Sequence, residues 1–209
     1  MKLYDSAGAP NPRRVKIYLA EKGIDVPLEE VSIPKGEHRG EPYLGKNPLG
    51  QVPILELDDG SVLAESIAIC RYFEELHPEP PLFGSDALDR ARVEMWQRHM
   101  EFQLFIPYAM VFRNTHDFFK GRIPQVAEWG EVNRKALGKA FGWLDAELAE
   151  REFVAGDRYT VADITAQCGF DFFGKILKLM PGDDHKNLNR WYAAVSARPS
   201  AQVYAISTR

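Results

Sequence analysis

The chain is poor in cysteine, in long apolar runs and in clustered charge, and each shortage removes a class of protein. Its two cysteines, Cys70 and Cys168, stand about a hundred positions apart in apolar helical patterns. They have no metal-ligand spacing, so no metal site is expected and both read as core thiols. No run of about 18 apolar residues occurs, and Met1-Lys-Leu-Tyr-Asp5 passes into a helical pattern without an apolar leader. A cytoplasmic chain without membrane contact is therefore expected. The formal net charge is only -4 and the basic residues are scattered, whereas a phosphate backbone needs a concentrated basic face, so no nucleic-acid partner is expected. What remains is an ordinary globular composition, 45% hydrophobic and 27% charged over 209 residues, enough for one compact unit or two unequal lobes.

Local pattern divides the chain in two. Lys2–Asp5 reads as a strand, Val15, Tyr18, Leu19 and Lys22 fall at helical spacing, and Gly23 closes that helix. Residues 26–31 read as a second strand, and residues 36–44 as a weaker polar segment. Pro53–Leu57, Asp58-Asp59-Gly60 and Ser61–Leu63 predict a hairpin with a tight primed turn at Asp-Gly. Ile69, Tyr72, Phe73 and Leu76 predict a helix that stops before Pro78. The order is βαβαββα over 1–78, followed by a proline-rich linker over 79–87. From 88 to 209 no strand pattern returns and the apolar stripes Leu137/Ala140/Phe141/Leu144/Leu148 and Leu188/Trp191/Tyr192/Val195 predict an all-helical domain. Thr160-Val-Ala-Asp163 reads as a capping box stapled by Tyr159 and Ile164, a structural element worth about 1 kcal/mol in its cap alone.

Three motifs carry a resemblance: Asn47-Pro-Leu-Gly-Gln-Val-Pro53, Leu63-Ala-Glu-Ser-Ile67, and Phe153-Val-Ala-Gly-Asp-Arg-Tyr-Thr-Val-Ala-Asp163. With the element order, they resemble the cytosolic glutathione S-transferases over essentially the whole chain. The resemblance implies an α+β fold with an N-terminal thioredoxin-like domain and a C-terminal all-α domain, and a cis bond at Val52-Pro53 against which glutathione pairs like an added strand. An ordinary strand-opening proline is the competing reading of Pro53. Ser66 stands at a helix start, where unpaired amides can take the γ-glutamyl carboxylate, and Glu65 can meet the neighbouring ammonium. A plain helix cap explains Glu-Ser equally when taken alone. By the same resemblance Lys35 and His38, with Gln51, hold the glycine carboxylate.

A thiol with pKa near 8.5 needs roughly 2.7 kcal/mol of differential stabilisation to lose about two units. A helix end and one hydrogen bond together suffice. In familiar classes a Ser, Tyr or Cys at the first helix serves the sulfur. Here the usual Ser position falls on Ala9 or Pro10 and the usual Cys position on Asn11. The chain is in this respect similar to an atypical bacterial and fungal branch. Asn11, donating through its amide, is the first candidate to activate the thiol and Ser6 the second. His116, in Arg113-Asn-Thr-His116, is a third, orienting a water, with a structural histidine as its other reading. Phe105, Tyr108 and Phe112, with Phe102 and Phe170 or Phe173, are candidates for the electrophile pocket, although core packing explains many of these rings. The expected activity is conjugation of glutathione, the co-substrate, to hydrophobic electrophiles in a detoxifying homodimer. Two alternatives stand beside it: a glutathione-dependent disulfide or peroxide reductase, and a non-catalytic binding module.

Overall fold

The computed structural model describes residues 1–202. They form two units, Met1–Leu82 joined by Pro199–Gln202, and Phe83–Arg198. Residues 203–209 of the expected helical domain lie outside the described residues.

The first unit runs β1 (Lys2–Asp5), α1 (Pro10–Lys22), β2 (Leu28–Glu30), a 3-10 turn (Glu37–Arg39), α2 (Glu41–Leu44), β3 (Ile54–Glu56), β4 (Val62–Ala64) and α3 (Ser66–Leu76). The sheet order is β2-β1-β3-β4, with β1 parallel to β2 and antiparallel to β3, and β3 antiparallel to β4. This is the thioredoxin-like order βαβαββα. Proline starts α1 and glycine ends it. Gly23 adopts φ 65°, its amide donating to Ala20 O (3.2 Å) and that of Ile24 to Leu19 O (2.9 Å), so the last carbonyls are satisfied. Strand β2 is shorter than the expected 26–31 because Pro27 has no N–H for the ladder.

The hairpin turn differs from expectation. Of its residues only Gly60 has positive φ (83°), whereas a primed type I′ turn needs two such residues. The Gly60 amide donates to Leu57 O at 3.0 Å and the Leu57 amide to Ser61 O at 2.8 Å. Asp59 stays in ordinary backbone space because its carboxylate accepts from the Ser61 amide (2.9 Å) and hydroxyl (2.6 Å). A three-residue loop ending in left-handed glycine results.

The second unit contains α4 (Ala87–His99), a π-helical turn (Met100–Phe105), α5 (Ile106–Thr115), a 3-10 turn (Asp117–Phe119), α6 (Ala127–Leu148), α7 (Val161–Gly169), a second π turn (Phe170–Gly174), α8 (Lys175–Leu177) and α9 (Lys186–Ser196); α10 (Pro199–Gln202) belongs with the first unit. The first π turn has a cause in sequence. Pro107 cannot donate to the carbonyl four residues back, and the widened turn before it absorbs the lost bond. Both expected stripes point into the core of this unit: Leu137, Phe141, Leu144, Leu148, Leu188, Trp191 and Val195 are buried. The capping box at Thr160 and Asp163 is formed. Among the described residues no helix is long and apolar enough to cross a membrane, and no group of three or more His, Cys, Asp or Glu side chains is arranged to hold a metal ion.

Candidate functional site

The first unit holds a small open cleft at the C-terminal end of the loop that precedes β3. The loop is built from inside. Asn47 is buried, its Oδ1 accepting the Leu49 amide (3.2 Å) and its Nδ2 donating to Gln51 O (2.8 Å). The Tyr43 hydroxyl donates to the same carbonyl at 2.6 Å, and burial pushes that phenol up to about 12, so it remains a donor across the physiological range. Gly50 turns the chain at φ 60°, and a Cβ there would lie 2.9 Å from His38 O, so the position demands glycine on both counts. The Val52-Pro53 bond is cis. Strand β3 begins only at Ile54, paired with Tyr4 of β1, which leaves Val52 beyond the ladder.

Helix α3 presents its N-terminus to the same cleft. Its N-cap, Glu65, supplies no side-chain cap, and the amide of Ile69 is the one that reaches Glu65 O, at 3.0 Å. The amides of Ser66, Ile67 and Ala68 therefore have no acceptor within the helix, which is the arrangement that favours an anion. Glu65 adopts φ 69° and ψ 116°, a conformation that costs a non-glycine residue about 1–3 kcal/mol and tends to be retained where function needs it. Its carboxylate is exposed.

Helix α1 contributes a third group. Pro10 and Pro12 occupy its first and third positions, so Asn11 alone of the first three retains a backbone N–H. Asn11 lines the cleft and its Oδ1 accepts from Arg14 Nη1 at 3.1 Å. A guanidinium only donates, which fixes the amide so that Nδ2 is the end left to donate.

Six expected residues thus converge on one cleft: Asn11, Gln51, Val52, Pro53, Glu65 and Ser66, with Asn47, Leu49 and Ala64 completing its wall. Lys35, His38 and Ser6 lie elsewhere in the same unit. Ser6 is buried with its Oγ accepting the Ile33 amide at 3.4 Å. Lys35 sits in the turn before the 3-10 segment, its amide bonded to Ser32 Oγ at 3.4 Å. His38 Nε2 accepts from Arg39 Nε at 3.3 Å. In the helical unit Phe105, Tyr108 and Phe112 are buried around Phe173, which Phe105 meets edge-on, Tyr108 stacks against and Phe112 meets at a tilt, and the Tyr108 hydroxyl donates to Leu179 O at 2.6 Å. Phe102 is exposed and Phe170 buried. His116 caps the 3-10 turn, its Nδ1 accepting the Phe118 amide at 3.1 Å, so the neutral ring carries its proton on Nε2. Sequence reasoning missed Arg14, Tyr43 and Asn47. The last was legible as an Asx residue two positions before the amide it caps.

Burial first, and Arg39 second, hold the His38 imidazole below its ordinary value. The unfolded chain therefore takes up this proton at higher pH than the folded one. The stability linked to His38 is present above about pH 6.5 and is lost as pH falls through that value towards the native pKa. Denaturant titrations at pH 7.5 and pH 5 are expected to show a step that His38→Gln reduces; an unchanged step places the effect on other groups.

Residues 3–81 match the family model of the glutathione S-transferase N-terminal domain and residues 104–199 that of its C-terminal domain. "Glutathione S-transferase 2" of Saccharomyces cerevisiae is 36% identical over 209 residues, covering 97% of this chain and 88% of the relative. "Maleylacetoacetate isomerase" of Pseudomonas aeruginosa is 46% identical over 161 residues, covering 76% of this chain and 71% of the relative. The crystal structure of Gtt2 from Saccharomyces cerevisiae superposes with a TM-score of 0.90 at 35% identity, over 97% of this chain and 99% of that one. With both family models matched and nearly the whole length covered at this identity, the chain belongs to the glutathione S-transferase family.

Proposed function

We propose that the chain binds glutathione in the cleft of its first unit and conjugates the thiolate to hydrophobic electrophiles. The observation that carries this reading is the convergence of the uncapped α3 N-terminus, Ser66, the exposed Glu65 and Asn11 on one cleft. Together they match three groups of the tripeptide: carboxylate, ammonium and sulfur. The γ-glutamyl carboxylate is taken by the α3 amides and the Ser66 hydroxyl, and its ammonium by Glu65. The cysteinyl backbone pairs with the N–H and C=O of Val52, and the sulfur is directed to Asn11. Gln51, with Lys35 and His38, is assigned to the glycine carboxylate. A helix end supplies about 0.3–1 kcal/mol and a hydrogen bond to a charged acceptor about 1.5–3 kcal/mol. Together they reach the roughly 2.7 kcal/mol that lowers a thiol by about two units. The electrophile is assigned to the aromatic cluster of the helical unit around Phe105, Tyr108 and Phe112, where His116 offers an Nε2–H to a water. Ser6, buried against Ile33, serves the sulfur in this reading only through the turn that leads to Asn11.

The reading extends to a cytoplasmic, detoxifying homodimer with domains at 1–78 and 88–209 joined by 79–87. It is tested by calorimetric titration with glutathione and by turnover on an aryl halide, a hydroperoxide, a mixed disulfide and a maleyl acid, the last because of the isomerase relative. Saturable conjugation of the aryl halide supports the proposal. Turnover confined to disulfide or peroxide replaces it with the reductase, turnover confined to the maleyl acid with an isomerase, and absence of binding at millimolar glutathione with a non-catalytic module.

A further inference from the structure

The two cleft groups assigned to opposite ends of glutathione share one support. Arg14 lies one turn into α1, is 3% exposed, and its single nitrogen Nη1 donates both to Asn11 Oδ1 (3.1 Å) and to Ser66 Oγ (2.6 Å). Asn11 is on α1 and Ser66 opens α3, so this one nitrogen ties the two helix starts together. Its chemistry also has a direction. A guanidinium carries donors and no acceptor and stays charged at any accessible pH. Each partner must therefore offer it an oxygen lone pair. Asn11 then keeps Nδ2 as its outward end, and Ser66, having accepted, keeps its O–H to donate. Without such a partner the amide can flip and the hydroxyl can rotate to accept, and either group would then meet an anionic ligand with its oxygen.

Resting on the glutathione reading above, we propose that Arg14 is a positioning residue that fixes Asn11 and Ser66 as donors, so that one buried guanidinium readies both the sulfur end and the γ-glutamyl end of the site. It acts through these two side chains and not on the ligand itself. Arg also differs from Lys at this position in keeping its charge while only 3% exposed, whereas a buried lysine ammonium readily gives up its proton and then no longer requires both partners to accept.

The test uses Arg14→Gln and Arg14→Lys in the full chain, alone and combined with Asn11→Ala and with Ser66→Ala. Thermal unfolding is recorded for each. Two probes separate the ends: glutathione, and S-methylglutathione, which has the same carboxylates and no ionisable thiol. Arg14→Gln is expected to weaken both ligands about tenfold and to move the ionisation of bound thiol, followed by thiolate absorbance against pH, towards that of free glutathione. Arg14→Lys is expected to retain thermal stability while recovering only part of either effect. In the Asn11→Ala background the change in thiol ionisation on Arg14→Gln should vanish. In the Ser66→Ala background the loss of S-methylglutathione affinity should vanish.

Additive effects in both backgrounds overturn the proposal, as do unaltered affinity and unaltered thiol ionisation in a folded Arg14→Gln protein. Unfolding of both single variants overturns it as well, by making Arg14 a folding residue. If the unaltered protein binds neither probe, it is the glutathione reading that has failed, and the positioning role falls with it. Binding by the unaltered protein with no change in the variants leaves the glutathione reading standing and removes Arg14 alone.

Discussion

Asp163→Ala is expected to destabilise the protein by more than about 3 kcal/mol, seen as a fall of roughly 6 °C or more in Tm and an earlier guanidinium midpoint. The carboxylate is fully buried in α7 and accepts from four donors: the Val154 amide (2.8 Å), the Thr160 amide (2.9 Å), the Thr160 hydroxyl (3.0 Å) and Trp191 Nε1 (2.8 Å). Burial pushes its carboxyl up, against the pull of these donors. Removing the side chain strands three N–H groups in a dry interior, each at a cost of about 1–3 kcal/mol, and also opens a void beside Trp191. Asp163→Asn keeps the shape but turns one acceptor into a donor that faces an N–H, so it is expected to recover only part of the loss. A change of less than about 1 kcal/mol on Asp163→Ala would mean that the donors find other partners and that the network is not central.

Ser66→Ala is expected to weaken glutathione roughly 10- to 100-fold, the loss of one hydrogen bond to a charged oxygen. Because the γ-glutamyl end is remote from the sulfur, its binding is felt equally in ground state and transition state. KM should rise while kcat changes little. The exposed hairpin variant Ser61→Ala serves as control. An unchanged Kd would remove the hydroxyl from the site and leave the α3 amides as the anion's partners.

How much of this was legible in the sequence depended on the range of the interaction that decided it. Gly23, Pro10 and the Pro78 cluster set helix limits through their own backbone chemistry, and α1 and α3 run as the pattern reads. Thr160 and Asp163 lie three positions apart, so their reciprocal bonds were readable, but the Trp191 bond to the same carboxylate spans 28 positions and was not. The turn class at Asp59-Gly60 turned on a side-chain bond to Ser61 that dipeptide preference ignores. The cleft groups at 52, 65 and 66 were found because each carries a local signature. Arg14 has none: as a basic residue on a helix it reads as solvated surface, whereas in the fold it is buried and bonded to Ser66, 52 positions away. Tyr108 reads from sequence only as a pocket or core ring, and the partner of its hydroxyl, the carbonyl of Leu179, lies 71 positions away.

The two prolines that open α1 separate properties which most helix starts deliver together. The summed peptide dipoles still project positive potential beyond the first turn, since each proline keeps its carbonyl. The directional anchors are thinned, because two of the first three nitrogens bear no hydrogen. An anion at this end is attracted without being clamped in one orientation. In the proposed binding mode the orientation of the sulfur therefore falls to a single side chain, the Asn11 amide, which one substitution can remove while the field of the helix remains.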